Sequence, residues 1–207
     1  MREKNESTTR RKFLAGTAGV ALTGLAGCTT GVLPGDRDGA NRTLYIGSYH
    51  WGFILLDETG TERDQVTLDK GSTVEIVGFG VEAHEAVESL PAPIQEGLPS
   101  HEKLESRNEE RIPAPSGEYL HDALEVAESA YPDHSLMIVP AGWEQRGGGM
   151  MNGGMMGSQG VLLSQEATEP DVQKVTADQS GAFSIDCGTY CGYGHQYMYR
   201  TGAIIVE

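Results

Sequence analysis

The sequence predicts an all-β fold, a β-sandwich that carries a partly helical insertion. Two observations predict it. Apolar or alternating runs of strand length recur through the chain, separated by Gly, Asp and Ser punctuation. A Pro-rich, charged stretch in the middle then breaks that pattern and contains a single helical period.

The strand runs are Thr43 to Tyr49, Thr73 to Val81, Ser135 to Val139, Gly160 to Leu163, Ala182 to Ile185 and Ala203 to Val206. Glu58, Thr59 and Gly60 make an early turn, and Asp178, Gln179, Ser180 and Gly181 a late one, so that Val175 and Phe183 flank an expected hairpin. Short strands punctuated in this way argue for antiparallel pairing rather than an α/β fold.

The insertion is expected at about residues 86–159. Pro91, Pro93, Pro99, Pro113 and Pro115 surround the charged run Glu102 to Arg111. Beyond it, Ser116 is the expected cap of a helix whose Leu120, Ala123, Leu124, Ala127 and Ala130 share one face, a spacing that suits packing. The tract Arg146 to Gly160 is low in complexity and holds Met150, Met151, Met155 and Met156. Paired thioethers suit a cuprous ion, but methionines that merely punctuate glycines are the expected reading.

The N-terminus reads as a targeting segment. Thr9, Arg10, Arg11, Lys12, Phe13 and Leu14 match a twin-arginine export signal, and a small-residue apolar stretch follows to Gly27. That stretch is shorter than the roughly 20 apolar residues a bilayer span needs. Leu25, Ala26, Gly27 and Cys28 then form a lipobox, in which Cys28 is the expected lipidation site; the alternative is a plain cleaved signal. The expected organisation is a signal over residues 1–27, a tether over 28–42 with a glycosylation sequon at Asn41, and one domain over 43–207. The chain is then exported and held by lipid on the outer face of the cytoplasmic membrane. Nothing after Cys28 is long and apolar enough for a transmembrane helix.

The 207 residues carry a formal net charge of −15. Removing residues 1–27, with five basic and two acidic side chains, makes the remainder more acidic still, at −18. Nucleic acid is excluded as a natural partner by that sign. The acidic residues are scattered, which favours a solvated surface of the kind found in high-salt environments over a docking patch for a basic redox partner.

Chemistry concentrates near the C-terminus. Apart from Cys28, the cysteines are Cys187 and Cys191, and His195 and Met198 follow them in a CxxxCxxxHxxM pattern just before the last strand run. Thiolates, an imidazole and a thioether on one loop are the ligand set of copper redox sites. Gly188, Gly192 and Gly194 permit the tight backbone path that turns these side chains to one side. With Cys191 alone the loop suits a mononuclear blue-copper site, whereas a second thiolate four residues earlier lets two sulfurs bridge two ions. A disulfide is the bland alternative for an exported chain, but leaves His195 and Met198 without a role. The CxxxC site of Sco-type copper chaperones precedes most of its fold, whereas here only a final strand follows.

This loop, from Cys187 through Gly188, Thr189, Tyr190, Cys191, Gly192, Tyr193, Gly194, His195, Gln196 and Tyr197 to Met198, with the strand Gly202 to Val206 after it, resembles the CuA domain of cytochrome c oxidase subunit II. The likeness is strongest to subunits of heat- and salt-tolerant oxidases. It implies a cupredoxin-like Greek-key β-sandwich and a two-copper centre. Cys187 and Cys191 would bridge the ions, His195 would bind one of them, and Met198 and the carbonyl of Thr189 would be weak axial ligands. Many family members have Glu at the Thr189 position, a change that a carbonyl contact tolerates. Tyr49, His50, Trp51, Gly52 and Phe53 resemble the aromatic strip where electrons enter, which makes Trp51 a candidate.

The family also needs a second histidine. His84, directly after the strand Thr73 to Val81, is the expected ligand. His134, in Asp133, His134, Ser135, Leu136, is the other candidate, and His50, His101 and His121 are expected at the surface. The resemblance implies a terminal oxidase catalytic subunit as electron acceptor and an exported cytochrome c or blue-copper protein as donor, with no bond-breaking chemistry in this chain. The chain departs from the family in its lipid in place of membrane-spanning helices. A copper-delivery or storage lipoprotein is the alternative function.

Overall fold

The computed structural model describes residues 42–142 and 160–207. The expectations for the export signal, Cys28, the tether, Asn41 and the four methionines from Met150 to Met156 lie outside these residues. Among the described residues, nine strands and four helices run in the order β1 (Arg42–Tyr49), β2 (Gly52–Leu56), β3 (Val66–Leu68), β4 (Thr73–Gly80), α1 (His84–Glu88), α2 (Ala92–Gly97), α3 (His101–Arg111), α4 (Leu120–Ala130), β5 (His134–Pro140), β6 (Val161–Leu163), β7 (Asp171–Thr176), β8 (Gly181–Asp186) and β9 (Tyr199–Val206). Among the described residues no helix is long and apolar enough to cross a membrane.

The strands form two sheets, ordered β2-β1-β4-β7 and β3-β9-β8-β5-β6. All six expected strand runs are present. The pairing is mixed rather than wholly antiparallel, because β1 runs parallel to β4 and β3 parallel to β9. The expected hairpin across Asp178 to Gly181 is a crossover instead: β7 pairs with β4 in one sheet, while β8 pairs with β5 and β9 in the other. A turn dipeptide fixes where the chain bends, but only the sheet that offers a free edge fixes which strand it joins.

Two cores explain why periodicity misses β2. Leu44, Ile46, Leu55 and Ile76 from the first sheet bury against Leu136, Ile138, Phe183, Ile185 and Ile204 from the second. On the far side of the first sheet, Tyr49, Ile54, Leu56, Val77 and Phe79 bury against Leu90, Ile94 and Leu104 of the helical segment. Strand β2 is therefore buried at every residue and has lost the alternation that marks a half-exposed strand. Each of these large aliphatic side chains contributes about 1.5–3 kcal/mol on burial.

The helical segment thus closes a face of the sandwich. The charged run Glu102 to Arg111 is helix α3, capped by Ser100, whose side chain accepts from the Lys103 N–H at 3.4 Å. In α4, Ala123, Leu124 and Ala127 are buried as the spacing predicts, but Ala130 is exposed and Tyr119, not Ser116, occupies the cap position. Strand β5 falls inside the stretch expected to be inserted and belongs to the second sheet, so the helices end at Ala130.

Candidate metal centre

The loop between β8 and β9 is folded back on its own base. The last β8–β9 pair is Asp186 with Tyr199, and one step further the Cys187 N–H donates to the Met198 carbonyl at 3.2 Å. Inside that closure Tyr193–Tyr197 form a 3-10 turn, stabilised by the His195 N–H to the Gly192 carbonyl at 3.1 Å and the Met198 N–H to the His195 carbonyl at 3.0 Å. Gly192 has φ +94°, a conformation that a side chain resists, and this permits the reversal between Cys191 and the turn.

The reversal brings the loop's donors together. The Cys191 sulfur lies 3.5 Å from His195 Nδ1 and 3.6 Å from the Met198 sulfur. The Cys187 sulfur lies 3.1 Å from the Thr189 carbonyl oxygen. Cys187, Cys191 and Met198 are buried, and His195 is half-buried. Both cysteines are free thiols, which sets aside the disulfide alternative for this state of the chain.

His134 completes the cluster. It opens β5, whose antiparallel pairing with β8 (Met137 with Asp186) carries the start of β5 alongside the end of β8 and the loop beyond. Ser135 secures the junction: its hydroxyl accepts from the Gly188 N–H at 2.8 Å, and its own N–H points at the Cys187 sulfur at 3.5 Å. One donor atom each from His134, Cys187 and Cys191 lie within 4.8 Å of one another, all three residues buried.

The histidine beside the sulfurs is thus His134 and not the expected His84. His84 is exposed at the start of α1 and lies outside the cluster. The reason is topological. The strand before His84 belongs to the first sheet, whereas the loop hangs from the second, so the neighbouring strand β5 supplies the imidazole. The Asp-His-Ser context of His134 was the usable sequence signal. His50 also departs from expectation, being 3% exposed rather than a surface residue, whereas His101 and His121 are exposed as expected.

Beneath the loop sits Trp51. With His50 it forms the two-residue connection of the β1–β2 hairpin, where Tyr49 pairs with Gly52. Its indole N–H donates to the Cys191 carbonyl at 2.7 Å. Gly194 packs so closely on the ring that a Cβ there would stand 1.9 Å from an indole carbon. Trp51 is fully buried, so its contact with the surface runs through Tyr193, 6.1 Å away between ring centroids and 37% exposed. Asn108 and Arg111 of α3 hold the same connection: the Asn108 amide donates to the His50 carbonyl, and Arg111 donates to the carbonyls of Trp51 and Tyr197.

The electrostatics favour negative charge on the Cys187 sulfur. Hydrogen bonding from Cys191 pushes the Cys187 thiol down against the opposing effect of burial. Cys191, the donor in that bond and itself buried, is pushed up. The pair therefore gives up one proton readily and holds the second, the pattern of two coupled acids in a dry site. His195 is raised by hydrogen bonding to Cys187, against burial, with Asp186 adding to the rise. His50 is lowered to about 3, chiefly by burial and then by His134 beside it, so that ring is neutral.

No protein-family model and no curated protein matches the chain. Among solved structures it is similar to the periplasmic domain of subunit II of cytochrome oxidase of Bradyrhizobium japonicum, at 9% identity and a TM-score of 0.39, covering 81% of this chain and 85% of that one. It is similar to a heme-copper terminal oxidase dimer at 14% identity and 0.38, covering 87% and 78%. It is also similar to auracyanin A, a blue copper protein from Chloroflexus aurantiacus, at 15% identity and 0.35, covering 80% and 98%.

Proposed function

We propose that this chain is a copper electron-transfer protein whose centre is a binuclear CuA site. The observation that carries the reading is the convergence of two free thiols and a buried imidazole within 4.8 Å, with His195, Met198 and the Thr189 carbonyl packed against the same sulfurs. The donor set fits copper on chemical grounds. His134 Nδ1 is buried without a hydrogen-bond partner, which costs free energy unless something else takes the lone pair. Thiolate, imidazole and thioether are soft or borderline donors of the kind copper takes.

In this reading Cys187, Cys191, His134 and His195 would hold the copper, and Met198 and the Thr189 carbonyl would be weaker donors to it. Copper held there would supply one-electron transfer. The protein's own part is to hold the donors and exclude water. The readily lost thiol proton prepares the Cys187 sulfur, since ligands bind deprotonated. The Trp51 N–H and the Gly194 contact fix the height of the loop, and Trp51 with Tyr193 forms a short aromatic route from the Cys191 backbone to the surface. The chain breaks no substrate bond.

The wider role belongs to the same proposal. The chain is exported by its twin-arginine signal, held by lipid on Cys28, suited by its charge to high salt, and passes single electrons from an exported cytochrome c or blue-copper donor to a terminal oxidase. Copper loading of the full chain tests the centre. The expected product is a purple, mixed-valence species with two coppers per chain and an electron-resonance signal coupled to both nuclei. A colourless cuprous protein overturns this reading in favour of copper delivery or storage.

A further inference from the structure

We propose that His50 is a positioning residue that fixes His134 in the tautomer whose Nδ1 carries a free lone pair, and that the helical insertion locks His50 in that role. The inference rests on the copper reading for its purpose, but the tautomer is a property of the metal-free chain.

The argument follows one chain of hydrogen bonds. His50 Nε2 lies 3.1 Å from the Tyr131 carbonyl oxygen, which can only accept, so Nε2 carries the hydrogen. A neutral imidazole has one N–H, so His50 Nδ1 is an acceptor. That nitrogen lies 3.2 Å from His134 Nε2, which must then be the donor. In the one-hydrogen form of the His134 ring that hydrogen is thereby placed on Nε2, and Nδ1, buried and without a hydrogen-bond partner, is left as the lone pair. With the order reversed, two lone pairs would face each other at the Tyr131 carbonyl.

The direction of this relay is set outside the sandwich. Tyr131 follows α4 as its C-cap, and its N–H is held by the Ala127 carbonyl, which anchors the residue whose own carbonyl faces His50. Asn108 of α3 grips the His50 backbone from the other side. The insertion that interrupts the sequence pattern therefore supplies the acceptor at the head of the relay. A group of this kind orients a metal-binding histidine and raises its basicity, and its loss costs about 10–100-fold in metal affinity.

Nitrogen-15 NMR of the histidine rings in the metal-free full chain is the direct test. The expected wild-type spectrum has His134 protonated at Nε2 and bare at Nδ1. The His50→Leu variant, which removes both donor and acceptor, should give mixed His134 tautomers and about 10–100-fold weaker copper binding. His50→Gln keeps one donor and one acceptor and should restore the single tautomer and most of the affinity. A wild-type spectrum with the proton on His134 Nδ1 overturns the proposal, even if His50→Leu does not fold. So does a folded His50→Leu protein with an unchanged His134 spectrum. Wild-type protein with the expected tautomer that takes up no copper overturns the copper reading instead, and leaves the relay standing.

Discussion

Two regions meet at the centre, and they are built in opposite ways. The loop from Cys187 to Met198 carries its donors within twelve consecutive residues and closes on its own backbone. The histidine side assembles His134 from a sheet strand, His50 from a hairpin tip, and Tyr131 and Asn108 from helices, over sequence separations of 58 to 84 residues. The first region sets which metal chemistry is possible; the second sets whether one imidazole stands correctly in it. Loss of a loop donor should therefore change the kind of site, while loss of a supporting group should change its strength.

The largest effect is expected at the sulfurs. Cys187→Ser should reduce the copper content from two ions to one or none and abolish coupling to two nuclei; an intact two-copper spectrum in this variant would rule out the bridging role. Next, His134→Ala should abolish the purple form, whereas His84→Ala should leave it unchanged; the opposite outcome would return the ligand to the first sheet. Substitution of Gly194 by Ala tests the support beneath the loop. The added methyl meets the Trp51 ring and should cost about 3 kcal/mol or more in denaturant unfolding, because overpacking against a fixed ring forces backbone movement. The smallest effect is expected for Trp51→Phe, which leaves the Cys191 carbonyl without its donor and should cost about 1–2 kcal/mol in the same measurement.

Much of this molecule is legible in its sequence. Strands β1, β4, β5, β6, β8 and β9 declare themselves by apolar runs, and helix α4 by its Leu120, Ala123, Leu124 and Ala127 stripe. Strand β2 does not, because burial on both faces removes its alternation. β7 does not, because Val175 is its one buried residue, so little of it carries an apolar pattern. The helical register of α3 is hidden in a charged run whose buried positions are Leu104 and Asn108 alone.

The site divides in the same way. Cys187, Cys191, His195 and Met198 were identifiable because their spacing is local, and a short loop can reach only so far. Whether His84 or His134 joins them was open in the sequence, since both follow or begin a strand run. The choice is made by sheet order: β5 is the hydrogen-bonded neighbour of β8, and β4 is in the other sheet. The sequence places His50 at the surface because nothing in its neighbours announces the helical segment that covers it. That Cys187, Cys191, His195 and Met198 share one loop is legible in the sequence, because it depends on residue type and short spacing. Which imidazole lies beside the sulfurs, and which backbone carbonyl meets His50, follow only from tertiary structure, because they depend on which strands become neighbours and on where α4 stops.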